Sequence, residues 1–277
     1  MSERSRQVAA VFDDAAYTYE AVGVPWFRPI AERLVDELDP HIGAHVLDIG
    51  CGRGVALPKL SAAVGRSGRI VGIDISPKML DRARQAVALR GIHNVELHAM
   101  DATSPALPKS SFNFAIASLV AFFLPDPAKA LRSWHDLLVP TGRLGLSTFA
   151  EKDQEWDDIQ QLFDPYLPQN VLDARTSGTT GPFASDAGLE DLVAQAGFDH
   201  VHTVRWNLAV TFDSPEHWRT WSMSHGGAQF WKAVPESDRD EVMQRAGAIL
   251  YRRGGVGNPI NLNQTVRMTL AARKLQG

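Results

Sequence analysis

One stretch of this chain narrows its fold more than any other. At residues 46–54 the apolar run Val46-Leu47-Asp48-Ile49 passes directly into Gly50-Cys51-Gly52-Arg53-Gly54, and helix-forming residues follow from Val55. A short apolar run that ends in three alternating glycines is the pattern of a buried strand turning sharply into a helix. Glycine suits such a turn because it tolerates positive φ and lets another molecule approach the backbone closely. In an open α/β sheet this turn lies at the carboxyl end of a strand, where ligands bind.

The flanking sequence alternates strand and helix in the same way. Residues 5–39 are mostly helical in pattern, with Ile30, Leu34, Val35 and Leu38 on one face and Pro40 and Gly43 ending the run. Strands are expected at 45–49, 69–73, 94–99, 112–118 and 143–149, and helices at 55–64, 76–90 and 126–138. Ser76 followed by Pro77 is an N-cap with a first-turn proline. Apolar strands between helices imply a mainly parallel sheet covered on both faces. The longest apolar run, 114–124, is too short for a membrane helix, which needs about 20 residues, and is expected to be a buried strand. After Phe149 the alternation breaks. Residues 151–182 are polar and aromatic, 185–196 form a helix ended by Gly197, and 200–210 form a strand. Residues 213–253 are mainly helical, with Trp206, Trp218, Trp221 and Trp231 as anchors, and 264–272 return to strand.

The other strand ends carry further acids. The second strand closes with Val71-Gly72-Ile73-Asp74, placing a carboxylate within reach of a ribose diol, and the third is followed by Met100-Asp101-Ala102, where a second acid can accept from an adenine amine. These contacts suit a dinucleotide as well as other adenosyl ligands. Asp48 discriminates. A carboxylate just before the glycines repels a pyrophosphate and suits a cation. S-adenosylmethionine (SAM) carries an ammonium and a sulfonium and no phosphate.

In this order the motifs resemble those of the class I SAM-dependent methyltransferases, over about residues 4–149 and most closely over 46–74. Residues 17–27 and 147–156 also resemble a small-molecule subgroup related to quinone-biosynthesis and natural-product tailoring methyltransferases. The resemblance implies an α/β, Rossmann-like, mostly parallel seven-stranded sheet with helices on both faces, and SAM as cofactor. It implies one domain: N-terminal helices at 1–40, a cofactor core at 41–150, lid insertions at 151–184 and 212–262, and sheet completion at 185–211 and 263–277. It further implies that Gly50, Cys51 and Gly52 contact the methionine part of SAM. Asp48 lies behind the turn toward its amine, and Asp74 takes the ribose hydroxyls. Ile75 and Met79 flank the adenine, Asp101 takes its amine, Ala102 adds a backbone contact, and Ser118 offers a carbonyl to the ammonium. Asn113 replaces a usual Asp and Thr141-Gly142 a common Gly-Gly; both positions are expected to be structural.

Methyl transfer from a sulfonium is an in-line displacement, so a general base is needed only for a poorly ionised nucleophile. His225, in Ser224-His225-Gly226-Gly227, is the candidate base, with a hydrogen-bonding or capping role as its bland counterpart. Tyr19 is a second candidate, at the cofactor or substrate mouth, against plain packing. His200 and His202 would share a strand face, but no third ligand accompanies them, so no metal is expected. Trp218 and Trp221 share a helix face, lining an aromatic pocket or packing the lid. Cys51 is a small turn residue, and the acidic run 151–158 a solvated face.

Composition sets outer bounds. Lys and Arg number 28 against 32 Asp and Glu, net −4, without the basic stripe that nucleic acid requires. A single cysteine excludes an intrachain disulfide framework. With a polar N-terminus the chain is expected to be cytoplasmic, free of membrane, acting on a small apolar, possibly aromatic, molecule through O- or C-methylation, and able to form a homodimer. The competing readings are a SAM-binding partner or sensor without catalysis and, behind it, an NAD(P)-dependent oxidoreductase.

Overall fold

The computed structural model describes residues 3–20, 22–168 and 177–274. Seven strands form one sheet: β1 (His45–Ile49), β2 (Arg69–Asp74), β3 (Val95–Ala99), β4 (Phe112–Ser118), β5 (Leu138–Lys152), β6 (Phe198–Phe212) and β7 (Ile260–Arg273). Their order is β3-β2-β1-β4-β5-β7-β6. The pairs β2–β3, β1–β2, β1–β4 and β4–β5 are parallel, and β7 slots in antiparallel to both β5 and β6. The chain winds outward from β1 through β2 and β3, then returns to add β4 on β1's other side. The reversal leaves a crevice at the carboxyl ends of β1 and β4, where open α/β sheets bind ligands.

Burial explains why these segments are strands. Val46, Leu47 and Ile49 of β1 and Ala115, Ile116 and Ala117 of β4 are fully enclosed. Helices cover them: α2 (Phe27–Leu38) buries Ile30, Ala31, Leu34, Val35 and Leu38, α3 (Leu57–Val64) buries Leu57, Leu60 and Val64, and α5 (Pro127–Leu137) buries Trp134. Caps set where helices begin. The Ser76 hydroxyl accepts from Met79 N–H at 3.1 Å to start α4 (Pro77–Leu89), and Asp126 accepts from Lys129 N–H at 2.8 Å to start α5. Asn113 is structural as expected from its position: its Oδ1 accepts from His45 N–H at 2.8 Å, tying β4 to the start of β1.

The C-terminal half supplies α6 (Gln154–Gln161), α7 (Asp186–Gln195), α8 (Pro215–Ser222), α9 (Ala228–Ala233) and α10 (Arg239–Gly254). At the other terminus, α1 (Glu3–Ala15) packs against α4. Part of the expected insertion at 151–184 falls outside the described residues. No helix among the described residues is long and apolar enough to cross a membrane.

Three expectations need correction. The apolar run 114–124 is not one strand: β4 stops at Ser118, Leu119 takes φ +58°, and Ala121–Phe123 form a 3-10 turn. The turn carries Phe122 and Phe123 away from the sheet. His200 and His202 do not follow simple alternation, because the β6–β7 register shifts between Asp199 and His202 and His200 takes φ +54°, a bulge. The acidic run 151–158 is not merely solvated. Arg253 pairs with Asp153 and Glu155 at 2.9 Å, Arg252 pairs with Asp158, and α6 buries Trp156 and Ile159.

Candidate active site

The glycine turn after β1 has the backbone its sequence requires. Gly50 and Gly52 take φ +65° and +53°. A Cβ on Gly50 would strike Val120 at 2.5 Å, whereas one on Gly52 would meet nothing within 4 Å and would project into open space. Gly50 is thus glycine for packing as well as for φ, and Gly52 keeps a cradle clear. Cys51 turns its thiol under the loop, against Gly72, and burial pushes that thiol well up in pKa.

Two carboxyls stand beside this turn. Asp74 Oδ2 accepts from Gly52 N–H and Oδ1 from Ser76 N–H, both at 2.8 Å. These bonds fix the carboxyl, and each oxygen keeps a lone pair for a further donor. Burial raises its pKa to about 6 against the pull of those bonds. Asp48 is 2% exposed, and its Oδ2 is closed off with no hydrogen-bond partner among the described residues. Burial, then the charge of Asp74, lifts its pKa to about 7. A buried, unpaired carboxylate oxygen is costly unless a donor meets it.

Both acids line one cavity of about 810 Å³. Gly50, Cys51, Gly52, Ile75, Met79, Asp101, Ala102 and Ser118 line it too, so the structure brings every motif residue to a single wall. Burial works to raise the Asp101 pKa, but bonds from Thr103 N–H, Thr103 Oγ1 and the Ser5 hydroxyl win and hold it low. The Ala102 carbonyl already accepts from Trp134 Nε1 at 2.7 Å, which leaves its N–H as the contact it has to offer. The Ser118 hydroxyl pairs with that of Ser147 at 3.0 Å.

The cavity continues into an aromatic chamber. Trp26, Trp156 and Trp221 meet one another at ring separations of 5.1–5.6 Å, and Phe149 packs on Trp26 at 6.0 Å. Trp218 and Trp231 also line it, whereas Trp206 does not. His225 lies at this end. Its ring meets Trp221 at 4.5 Å and Phe27 at 5.8 Å, its Nδ1 accepts from Gly227 N–H at 3.3 Å, and burial lowers its pKa to about 4. The imidazole is neutral near pH 7. With Nδ1 accepting, the proton resides on Nε2, so base work requires the ring to release Gly227. Tyr19 stacks on Phe27 at 4.2 Å nearer the cofactor end, where burial, Glu20 and Asp74 push its phenol well up in pKa. It stays protonated.

The comparisons with known proteins agree with this geometry. Residues 46–142 match the family model described as a methyltransferase domain. The chain is 38% identical over 172 residues to aklanonic acid methyltransferase DauC of Streptomyces sp. (strain C5), covering 62% of this chain and 78% of that protein. It is 36% identical over 240 residues to nocamycin O-methyltransferase of Saccharothrix syringae, covering 83% and 85%. The chain belongs to the class I SAM-dependent methyltransferases. The fold of the methyltransferase also matches the solved YcgJ protein of Bacillus subtilis, with a TM-score of 0.60 at 18% identity over 90% of this chain and 99% of that one.

SAM fits the residues present. The orphaned Asp48 oxygen answers a buried cation, the Asp74 oxygens answer a diol, and the Gly52 cradle leaves room for a chain against the backbone. Sequence reasoning missed several contributors. Arg53 stands on the cavity wall; burial lowers its pKa, with Glu20 as the opposing carboxylate. Phe122, Phe123 and Gln264 also line the cavity. No local motif marks them, since each arrives from a turn or a distant strand.

Proposed function

We propose that this methyltransferase transfers a methyl group to an oxygen of a small, apolar, ring-bearing acceptor held in the aromatic chamber. The observation that carries the reading is the continuity of one cavity, from the Asp48 and Asp74 carboxyls to the tryptophan cluster. Oxygen is favoured over carbon because one relative is named an O-methyltransferase and the other acts on a named acid.

When bound, SAM supplies an electrophilic methyl on a positively charged sulfur. The protein's contribution is placement. Asp74 would hold the ribose, Asp48 would meet the ammonium, and Arg53 would offer a cation to the carboxylate of the methionine tail. Ile75 and Met79 would lie beside the adenine, with Asp101 and Ala102 at its edge. The glycine turn and Ser118 would hold the methionine part near the chamber. Holding two reactants in attack geometry supplies roughly 7–11 kcal/mol of a displacement barrier. The aromatic walls exclude water that would otherwise solvate the nucleophile. His225 and Tyr19 border the acceptor and the cofactor respectively, and we assign both to positioning.

The test is turnover of SAM on a panel of phenols and aromatic carboxylic acids, read by S-adenosylhomocysteine formation and by product mass. Products methylated on oxygen support the reading. SAM binding without turnover on any panel member favours the partner-or-sensor alternative. Carbon-methylated products overturn the choice of oxygen.

A further inference from the structure

Resting on the chamber reading above, we propose that Gln264 is a specificity-determining residue that accepts a hydrogen bond from a hydroxyl of the acceptor molecule. Gln264 is 4% exposed, sits on β7 opposite Lys152 of β5, and lines the cavity. The β5–β7 register shifts between Phe149 and Lys152, which turns the carbonyls of Ala150 and Glu151 out of the ladder. The Gln264 amide nitrogen serves them: Nε2 lies 3.4 Å from Ala150 O, 3.3 Å from Glu151 O and 2.8 Å from Thr265 O.

Three carbonyls around one end of an amide fix which end is the NH2, since an amide oxygen there would face only acceptors. Oε1 must therefore point the other way. It has no hydrogen-bond partner among the described residues, and it is not among the polar atoms closed off from contact, so it opens onto the cavity. The result is an immobilised acceptor in a chamber that carries Trp26, Phe149 and Trp156, beside Lys152, whose ammonium is already engaged by Asp157 and Gln160.

A fixed acceptor in an apolar chamber selects for a donor. A hydroxyl satisfies it. A methyl ether or a bare ring leaves it desolvated and unpaired, and a carboxylate repels it. If the held hydroxyl is the one methylated, the product loses the bond that held the substrate, which speeds release.

The test is calorimetric titration of the protein loaded with S-adenosylhomocysteine, using 2-naphthol, 2-methoxynaphthalene and naphthalene as probes. The expected result is 2-naphthol binding about tenfold or more tightly than its methyl ether, the cost of one unpaired buried acceptor. Gln264→Met should bring the pair within about threefold, because the acceptor that faces the ligand is gone, with S-adenosylhomocysteine affinity unchanged. Equal binding of the three probes to wild type overturns the Gln264 assignment and leaves the chamber reading standing. A Gln264→Met variant that keeps the wild-type ratio overturns it as well. Failure of all three probes to bind overturns the apolar chamber and this inference together. If Gln264→Met does not fold, Gln264→Asn, which keeps an amide but draws it back from the cavity, should narrow the ratio in the same way, and an unchanged ratio overturns the assignment.

Discussion

The charge of Asp74 adds to burial in raising the cost of ionising Asp48, while burial and then Asp13 do the same for Asp74. Both have pKa values above the ordinary 3.8, at about 7 and about 6. Without SAM, these two carboxyls therefore hold more protons in the folded protein than in the unfolded chain between about pH 4 and 7, and their contribution to stability falls as pH rises through that window. SAM binding works in the opposite direction, because a cationic ammonium favours ionised Asp48. Binding near pH 6 should release protons, and SAM affinity should weaken as pH falls from 7.5 to 5.5. Calorimetry in two buffers of different ionisation enthalpy measures the proton count; proton uptake would contradict the Asp48–ammonium pairing. Asp48→Asn should flatten most of the pH dependence. His225 makes the contrasting case. A general base contributes roughly 10²–10⁴ in rate, yet here Nδ1 is engaged by Gly227. His225→Gln should thus cost less than about tenfold in kcat and leave the acid limb of the pH–rate profile in place, well short of the loss of a base. A hundredfold loss with that limb abolished would establish His225 as the base.

At the scale of elements, what could be foreseen was what is encoded within a few residues. Whereas the Asn113 bond to His45 joins residues far apart in the chain, the strand–glycine–helix unit and the Ser76-Pro77 start of α4 rest on local chemistry, and their positions follow from the sequence. The turn at Leu119, the bulge at His200 and the Gln264 amide do not, because each depends on register with a strand far along the chain. The site was legible in the same proportion: the cofactor wall lies in contiguous motifs, while the chamber is assembled from α2, β5, α6, α8 and β7. Thr141 combines local and distant causes. It enters β5 at φ +69°, where a β-branched residue is strained. Next to it, a Cβ on Gly142 would meet Val139 O at 2.8 Å and Leu138 Cβ at 2.9 Å. Thr141→Gly should relieve about 1 kcal/mol of left-handed strain, partly offset by glycine's flexibility when unfolded, for a melting-temperature gain of about 1–3 °C. Gly142→Ala should lower it. A fall on Thr141→Gly would mean that the threonine side chain contributes more than its backbone costs.

Over the whole molecule, α1 and the turn after it bridge the carboxylate end of the cavity and its aromatic end, and this should couple the two. On the cofactor side, Asp13 accepts from the Ser76 hydroxyl and, at 3.2 Å, from Lys78 N–H at the start of α4, while Ser5 bonds Asp101. Toward the lid, Asp14 pairs with Lys232 of α9 at 3.1 Å, and the Thr18 hydroxyl donates to Ser224 O at 3.0 Å, one residue before His225. Phe12 spans the middle, edge-on to Phe123 at 5.5 Å. Asp74 and Asp101 therefore touch residues that hold α1, and Ser224 is reached through Thr18 in the turn that follows this helix. The surface ion pair of Asp14 is a weak tie. The Asp13 carboxylate is the strong one, since it serves a helix N-terminus where such a group contributes about 1 kcal/mol. Asp13→Ala should therefore weaken SAM about fivefold, the equivalent of that energy. Hydrogen exchange separates coupling from simple weakening. In wild type, saturating SAM should slow exchange across 215–233 as well as at the glycine turn. In Asp13→Ala, at SAM concentrations that restore saturation, protection of the turn should return while that of 215–233 stays lower. Equal recovery of both segments would mean that the lid responds to the cofactor directly through the cavity wall, with α1 only a cover.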